Sequence, residues 1–154
     1  MTGEQEKIVF DVLNVFLKGS QEAVEYCQML YKVAHLWDDL IDKDKPVQDA
    51  DINKAFITLF VSMPSNRFYR EHMDMLIPLQ YNAILQWLTA NKMERMDLES
   101  KHKAFMLKAS FLQIVHVCTG IIGGTAWAEE IGADLWNTLY GESLGGFLEE
   151  VQYA

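Results

Sequence analysis

The sequence predicts an all-α protein, a compact single-domain bundle of five to seven helices over residues 1–154. Three observations carry that expectation. Apolar residues recur at spacings of three and four along most of the chain. Alternation of apolar and polar residues, the signature of a half-buried strand, is nowhere sustained. Only 3 of the 154 residues are proline. Composition agrees: half the residues are hydrophobic and 23% are charged, which excludes a disordered or low-complexity chain. A chain this long buries roughly 70% of the surface its unfolded form exposes, enough for one core without staples.

The elements follow in order. A first helix is expected over residues 4–17, with Ile8, Val9, Val12, Leu13 and Phe16 on its apolar face and Gly19 stopping it. Ser20 caps a long second helix reaching Lys43, with Glu22 and Glu25 near its start, where negative charge suits the helix dipole. Asp49 or Asp51 caps a third, over residues 52–62, which Pro64 terminates. Ser65 or Asn66 opens a fourth, running to Asn91, which Pro78 should kink or divide. A charged segment, residues 92–103, leads into a fifth over residues 102–122, broken by Gly123-Gly124. A last helix is expected over residues 133–151, loosened by Gly141, Gly145 and Gly146.

Thirteen basic residues against 22 acidic ones give a formal charge of −9. Such a surface repels phosphate backbones and anionic lipid, so neither nucleic acid nor membrane is expected as a partner. Cys27 and Cys118 lie in apolar helical runs and read as buried free thiols of a reducing compartment. The first residues, Met-Thr-Gly-Glu-Gln-Glu-Lys, are the opposite of a signal peptide. A cytoplasmic protein is expected.

The chemistry-bearing segment is His35-Leu36-Trp37-Asp38-Asp39-Leu40-Ile41-Asp42. On a helix it puts Asp38, Asp39 and Asp42 on one side with His35 between them, and Tyr31 and Gln28 extend the stripe. Like charges at this spacing repel, and carboxylates at a helix C-terminus oppose the dipole. A divalent cation removes both conflicts. Mg²⁺ takes one or two carboxylates and completes its octahedron with water and phosphate oxygens, so Asp38 and Asp42, one turn apart, suit metal-bridged diphosphate binding. The plainer alternative is a solvated acidic helix end, continued by Asp44, Asp49 and Asp51.

Asp38-Asp39-Leu40-Ile41-Asp42 resembles the D-D-x-x-D motif of the all-α isoprenoid synthases, and Tyr31-Lys32-Val33-Ala34 resembles the approach to it in the phytoene and squalene synthase branch. The resemblance covers about a dozen residues. It implies an isoprenoid-synthase-like fold, Mg²⁺ held by Asp38 and Asp42 with Asp39 supporting, and His35 beside a prenyl diphosphate. The chain is about half the usual family length, and no second aspartate cluster is evident. A second resemblance joins residues 37–47, Asn66-Arg67-Phe68-Tyr69-Arg70-Glu71-His72 and Ile122-Gly123-Gly124 to small proteins of tailed phages and prophages. It implies a non-catalytic accessory or interaction protein, oligomeric, inside a bacterial cell.

Other residues offer further chemistry. On the fifth helix His102, Ala109, Gln113, His116 and Gly120 share one face, flanked by Lys108 and Thr119. Facing the acidic strip, His116 would give a proton and Lys108 would hold phosphate, with Gln113 as a further ligand contact. The plainer reading of His116, and the favoured one, is a satisfied core histidine. Glu22-x-x-Glu25 with Asp39-x-x-Asp42 imitates the carboxylate pairs of all-α nucleotide pyrophosphatases, but one continuous helix would hold Glu22 and Asp42 roughly 30 Å apart. His72 and Asp74 with Arg67 and Arg70 read as a capped helix start with local ion pairs, and no His-Asp dipeptide marks a phosphohydrolase. Eight methionines and 18 aromatics serve either core packing or a self-association surface.

Overall fold

A computed structural model describes residues 3–152, which are helical almost throughout, with no strand among them. Helix α1 (Gly3–Phe16) ends where Lys18 and Gly19 both take positive φ, and the Gly19 N–H closes back onto the Asn14 carbonyl. Helix α2 (Gln21–Asp42) starts after Ser20, as expected, although the serine side chain makes no capping bond. It ends at Lys43, whose left-handed backbone lets its N–H reach the Asp39 carbonyl.

Neither Pro64 nor Pro78 ends its helix. Helix α3 (Asp49–Ile57) does not stop before Pro64. It passes through a wider π turn, Thr58–Ser62, into the short α4 (Met63–Ser65). The Met63 N–H bonds to the Thr58 carbonyl, five residues back, and the added residue makes room for a proline that can neither donate nor tolerate the usual carbonyl beneath its ring. Helix α5 (Arg67–Met93) likewise runs unbroken through Pro78. Asp74 and Pro78 both lie on the exposed side of the helix, where a carbonyl that loses its partner is open to water.

Beyond α5 the expected boundaries shift. The fifth helix begins earlier, at α6 (Leu98–Leu107), because the Asp97 carboxylate accepts the Ser100 N–H at 2.8 Å. It then breaks at Lys108–Ala109 before α7 (Ser110–Gly123), so the face drawn from His102 to Gly120 is not continuous. Leu98–Gly123 is long and apolar enough to cross a membrane by length and composition alone; this break interrupts it. Gly124, at φ 88°, turns the chain into α8 (Thr125–Leu139), an element that starts well before the expected residue 133. Residues 140–143 separate α8 from α9 (Leu144–Val151), where the Ser143 hydroxyl accepts the Gly146 N–H. The single last helix is therefore two.

The described residues form two compact units that meet between Asp74 and Met75, within α5. In the first, Leu13, Leu17, Val24, Cys27, Leu30, Met63 and Phe68 are buried, and buried Tyr26 stacks against Tyr69 and tilts against Phe68. In the second, Ala90, Ala104, Phe147 and Val151 form a core cluster. Phe105 stacks on Tyr140, whose hydroxyl donates to the Phe105 carbonyl; burial, and then Glu142, push the Tyr140 phenol well above its ordinary value.

Candidate functional site

The acidic strip occupies the last two turns of α2. Asp38 and Asp39 are half-buried and Asp42 is exposed. Their apolar neighbours Leu40 and Ile41 face outward, 40% and 51% exposed. The usual ordering of a helix is thus inverted here: two aspartates are more sheltered than the aliphatic residues that follow them. The Tyr31 ring meets His35 edge-on, with centroids 4.3 Å apart. Desolvation of the His35 ring lowers its pKa, and the Asp39 charge works against that shift.

Tyr31 and Gln28 line a shallow hollow with Glu6, Val9 and Lys32. Its volume is about 30 Å³, room for a few water molecules, and none of the three aspartates lines it. Burial raises the Tyr31 pKa. Among the described residues, no three His, Cys, Asp or Glu side chains gather closely enough to hold a metal ion. Asp38, Asp39 and Asp42 therefore share a helix side without forming a three-carboxylate cluster. Their mutual repulsion favours separation, and Asp42 sits on the open final turn.

The remaining sequence-derived candidates belong to the second unit, where Lys108 and His116 are engaged. Lys108 lies 2.5 Å from Asn91 Oδ1 and 3.3 Å from Glu94 Oε2, with its ammonium 4.7 Å above the Trp87 ring. Lysine and glutamate side chains are each only 13% exposed, so this is a sheltered ion pair that ties the α6–α7 break to the end of α5. His116 Nε2 donates to the Ala128 carbonyl at 2.8 Å, and Trp136 Nε1 donates to His116 Nδ1 at 3.3 Å. Both ring nitrogens are used, so His116 is a satisfied, half-buried histidine clamping α7 to α8. Gln113 is half-buried on α7.

Sequence reasoning passed over a different surface. Phe56, Ile57, Leu59, Phe60 and Val61 are exposed by 43% to 71%, across the end of α3 and the π turn. The Phe56 and Phe60 rings stack with centroids 5.9 Å apart. The signal was present: five large apolar residues within six positions wrap around a helix, and a single core cannot take them all. Compared with known proteins, the chain matches no family model, no curated protein and no solved structure.

Proposed function

We propose that the protein acts by association, as a helical interaction protein that docks another protein on the Phe56–Val61 segment. The exposure of those five side chains carries the reading. Together they uncover on the order of 500 Å² of apolar surface, the size at which a patch on a soluble protein is often functional. The π turn beneath them adds support, because such turns recur at functional sites. On the resemblance to tailed-phage and prophage proteins, the partner is a protein of the infected bacterial cell.

The test is a pair of substitutions, Phe56→Asp and Phe60→Asp, made together in a tagged chain. Both side chains face water, so the melting temperature should hold within a few degrees, while the protein retained from infected or lysogenic cells is lost. Recovery of the same partner by wild type and variant would reject this docking surface. So would collapse of the fold, which would make the two rings core.

The inverted ordering at the end of α2 favours a second reading. There Asp38 and Asp42, with Asp39, bind Mg²⁺ together with a diphosphate in an isoprenoid-synthase-like manner. Half-burial of Asp38 and Asp39 beside outward Leu40 and Ile41 is its support. Saturating Mg²⁺ with pyrophosphate should then raise the melting temperature, by about 2.7 kcal/mol of stabilisation at a hundredfold excess over Kd, and Asp38→Asn or Asp42→Asn should abolish the rise. An unchanged melting curve across the titration ends this reading.

A further inference from the structure

Nothing in the sequence breaks the helix between α6 and α7. No glycine or proline lies between Leu98 and Thr119, and the break falls on Lys108 and Ala109, both good helix formers. The backbone departs little from a helix there: Lys108 has φ −62° and ψ −23°, and Ala109 has φ −84° and ψ 16°. Neighbours within the second unit therefore impose the interruption against local preference. The Ala109 N–H bonds to the Met106 carbonyl at 3.2 Å, three residues back, and leaves the Phe105 carbonyl that a regular helix would give it. The Tyr140 hydroxyl, from the end of α8, donates to Phe105 in its place. Burial holds that phenol protonated, so it remains a donor. Ser110 fares worse. Its side chain is fully buried, and its hydroxyl has no hydrogen-bond partner among the described residues. In a continuous helix that hydroxyl would bond to the Met106 carbonyl one turn back, the acceptor now taken by Ala109.

We propose that the α6–α7 break is a hinge locked by Tyr140, and that release of the lock joins the two helices into one, Leu98–Gly123. The hinge belongs to the second unit alone and does not depend on docking at Phe56–Val61. Two arrangements compete. In the broken one, Tyr140 satisfies Phe105 and the Ser110 hydroxyl goes without a partner. In the joined one, ψ of Ala109 turns by about 60°, its N–H takes the Phe105 carbonyl, and the Ser110 hydroxyl takes Met106. The half-buried Tyr140 then turns its hydroxyl to water. Each arrangement gives up one hydrogen bond that the other makes, which keeps them close in energy. The lock also sits beside a weak element. Helix α9 has only eight residues, carries Gly145-Gly146 in its first turn, and ends on Glu149-Glu150 with no basic residue to suit the dipole. Outside contacts hold it. Phe147 and Val151 pack with Ala90 and Ala104, the Phe147 ring tilts against Phe105 at 5.5 Å, and Lys101 Nζ donates to the Val151 carbonyl at 3.1 Å. Helix α9 is thus a strap over α6. Lifting it takes Phe147 off Phe105 and loosens the Tyr140 bond, while Lys108, held by Asn91 and Glu94, stays at the pivot.

Double electron–electron resonance on the full chain provides the test, with spin labels on Glu99→Cys and Thr125→Cys, both exposed positions near the ends of the segment. Cys27 and Cys118 are buried and should stay unlabelled. Joining the helices stretches Glu99 to Gly123 to roughly 36 Å, and the break holds them closer. Tyr140→Phe should raise the ratio of long to short distances about fivefold, the effect of one lost hydrogen bond, with far-UV helicity kept or increased. Phe147→Ala, which loosens the strap, should act in the same direction. Ser110→Ala should move the ratio the opposite way, because joining then gains no hydroxyl bond. A simple loss of stability would not separate the two hydroxyls by sign. An unchanged distance in folded Tyr140→Phe, or a Ser110→Ala chain that lengthens, would overturn the hinge. Should Tyr140→Phe fail to fold, wild type warmed towards its melting temperature decides. The long distance should grow while helicity holds, and a single short distance up to the loss of helicity rejects the proposal.

Discussion

At the start of α5, one side chain holds two segments of the first unit together. Asn66 Oδ1 accepts the Tyr69 N–H at 2.8 Å, closing the helix N-terminus, while its Nδ2 donates to the Glu22 carbonyl on α2 at 2.9 Å. The residue is 7% exposed, so water cannot replace either bond. Asn66→Ala should therefore cost about 1–2 kcal/mol in urea unfolding, combining a lost cap with a lost bond between the two segments. A loss near zero would mean that α5 is held by Tyr26 packing against Phe68 and Tyr69 instead. The sequence left Ser65 and Asn66 as equal openings for this helix. Both can cap, and only the long-range bond to Glu22 favours asparagine, because serine has no amide to donate. The acidic strip shows the same boundary of legibility. Helical spacing put three aspartates on one side of α2, but the shelter of Asp38 and Asp39 and the openness of Asp42 depend on tertiary surroundings that spacing does not encode.

Elements were legible where one residue ends or begins them, and obscure where the backbone absorbed a breaker. Gly19, Ser20 and Gly124 mark real ends of α1, α2 and α7. Pro64 and Pro78 do not, because a π turn accommodates one and solvent exposure the other. Gly132 sits inside α8, and its function there is contact. An added Cβ there would lie 3.0 Å from His116 Cε1 and Nε2, closer than ordinary packing, against a ring pinned by bonds to Ala128 and Trp136. Gly132→Ala should thus destabilise the second unit by about 1–3 kcal/mol, even though alanine is the better helix former. Its Trp136 fluorescence should shift as the Trp136–His116 bond lengthens. A stabilised variant would show that the ring yields freely and that His116 does not fix the α7–α8 spacing.

For the whole molecule, solubility rests on charge, since both units leave apolar side chains in water. The first exposes Phe56–Val61 and the second exposes Ile77–Leu88. At neutral pH a formal charge of −9 opposes the approach of two copies. The sequence isoelectric point is about 4.8, close to the range where Asp and Glu take up protons. As pH falls towards it, repulsion between copies disappears while the apolar faces remain. Light scattering should therefore climb as pH approaches 4.8 and decline again at lower pH, where net positive charge returns. Added salt at pH 7 should produce a weaker rise, because screening at about 8 Å leaves the nearest charges unshielded. Phe60→Asn, which removes an exposed ring without changing charge, should lower the scattering maximum while circular dichroism shows the helices intact. Equal scattering from wild type and Phe60→Asn, or a maximum that appears only once helicity is lost, would trace the association to acid unfolding and not to the exposed faces of the folded chain.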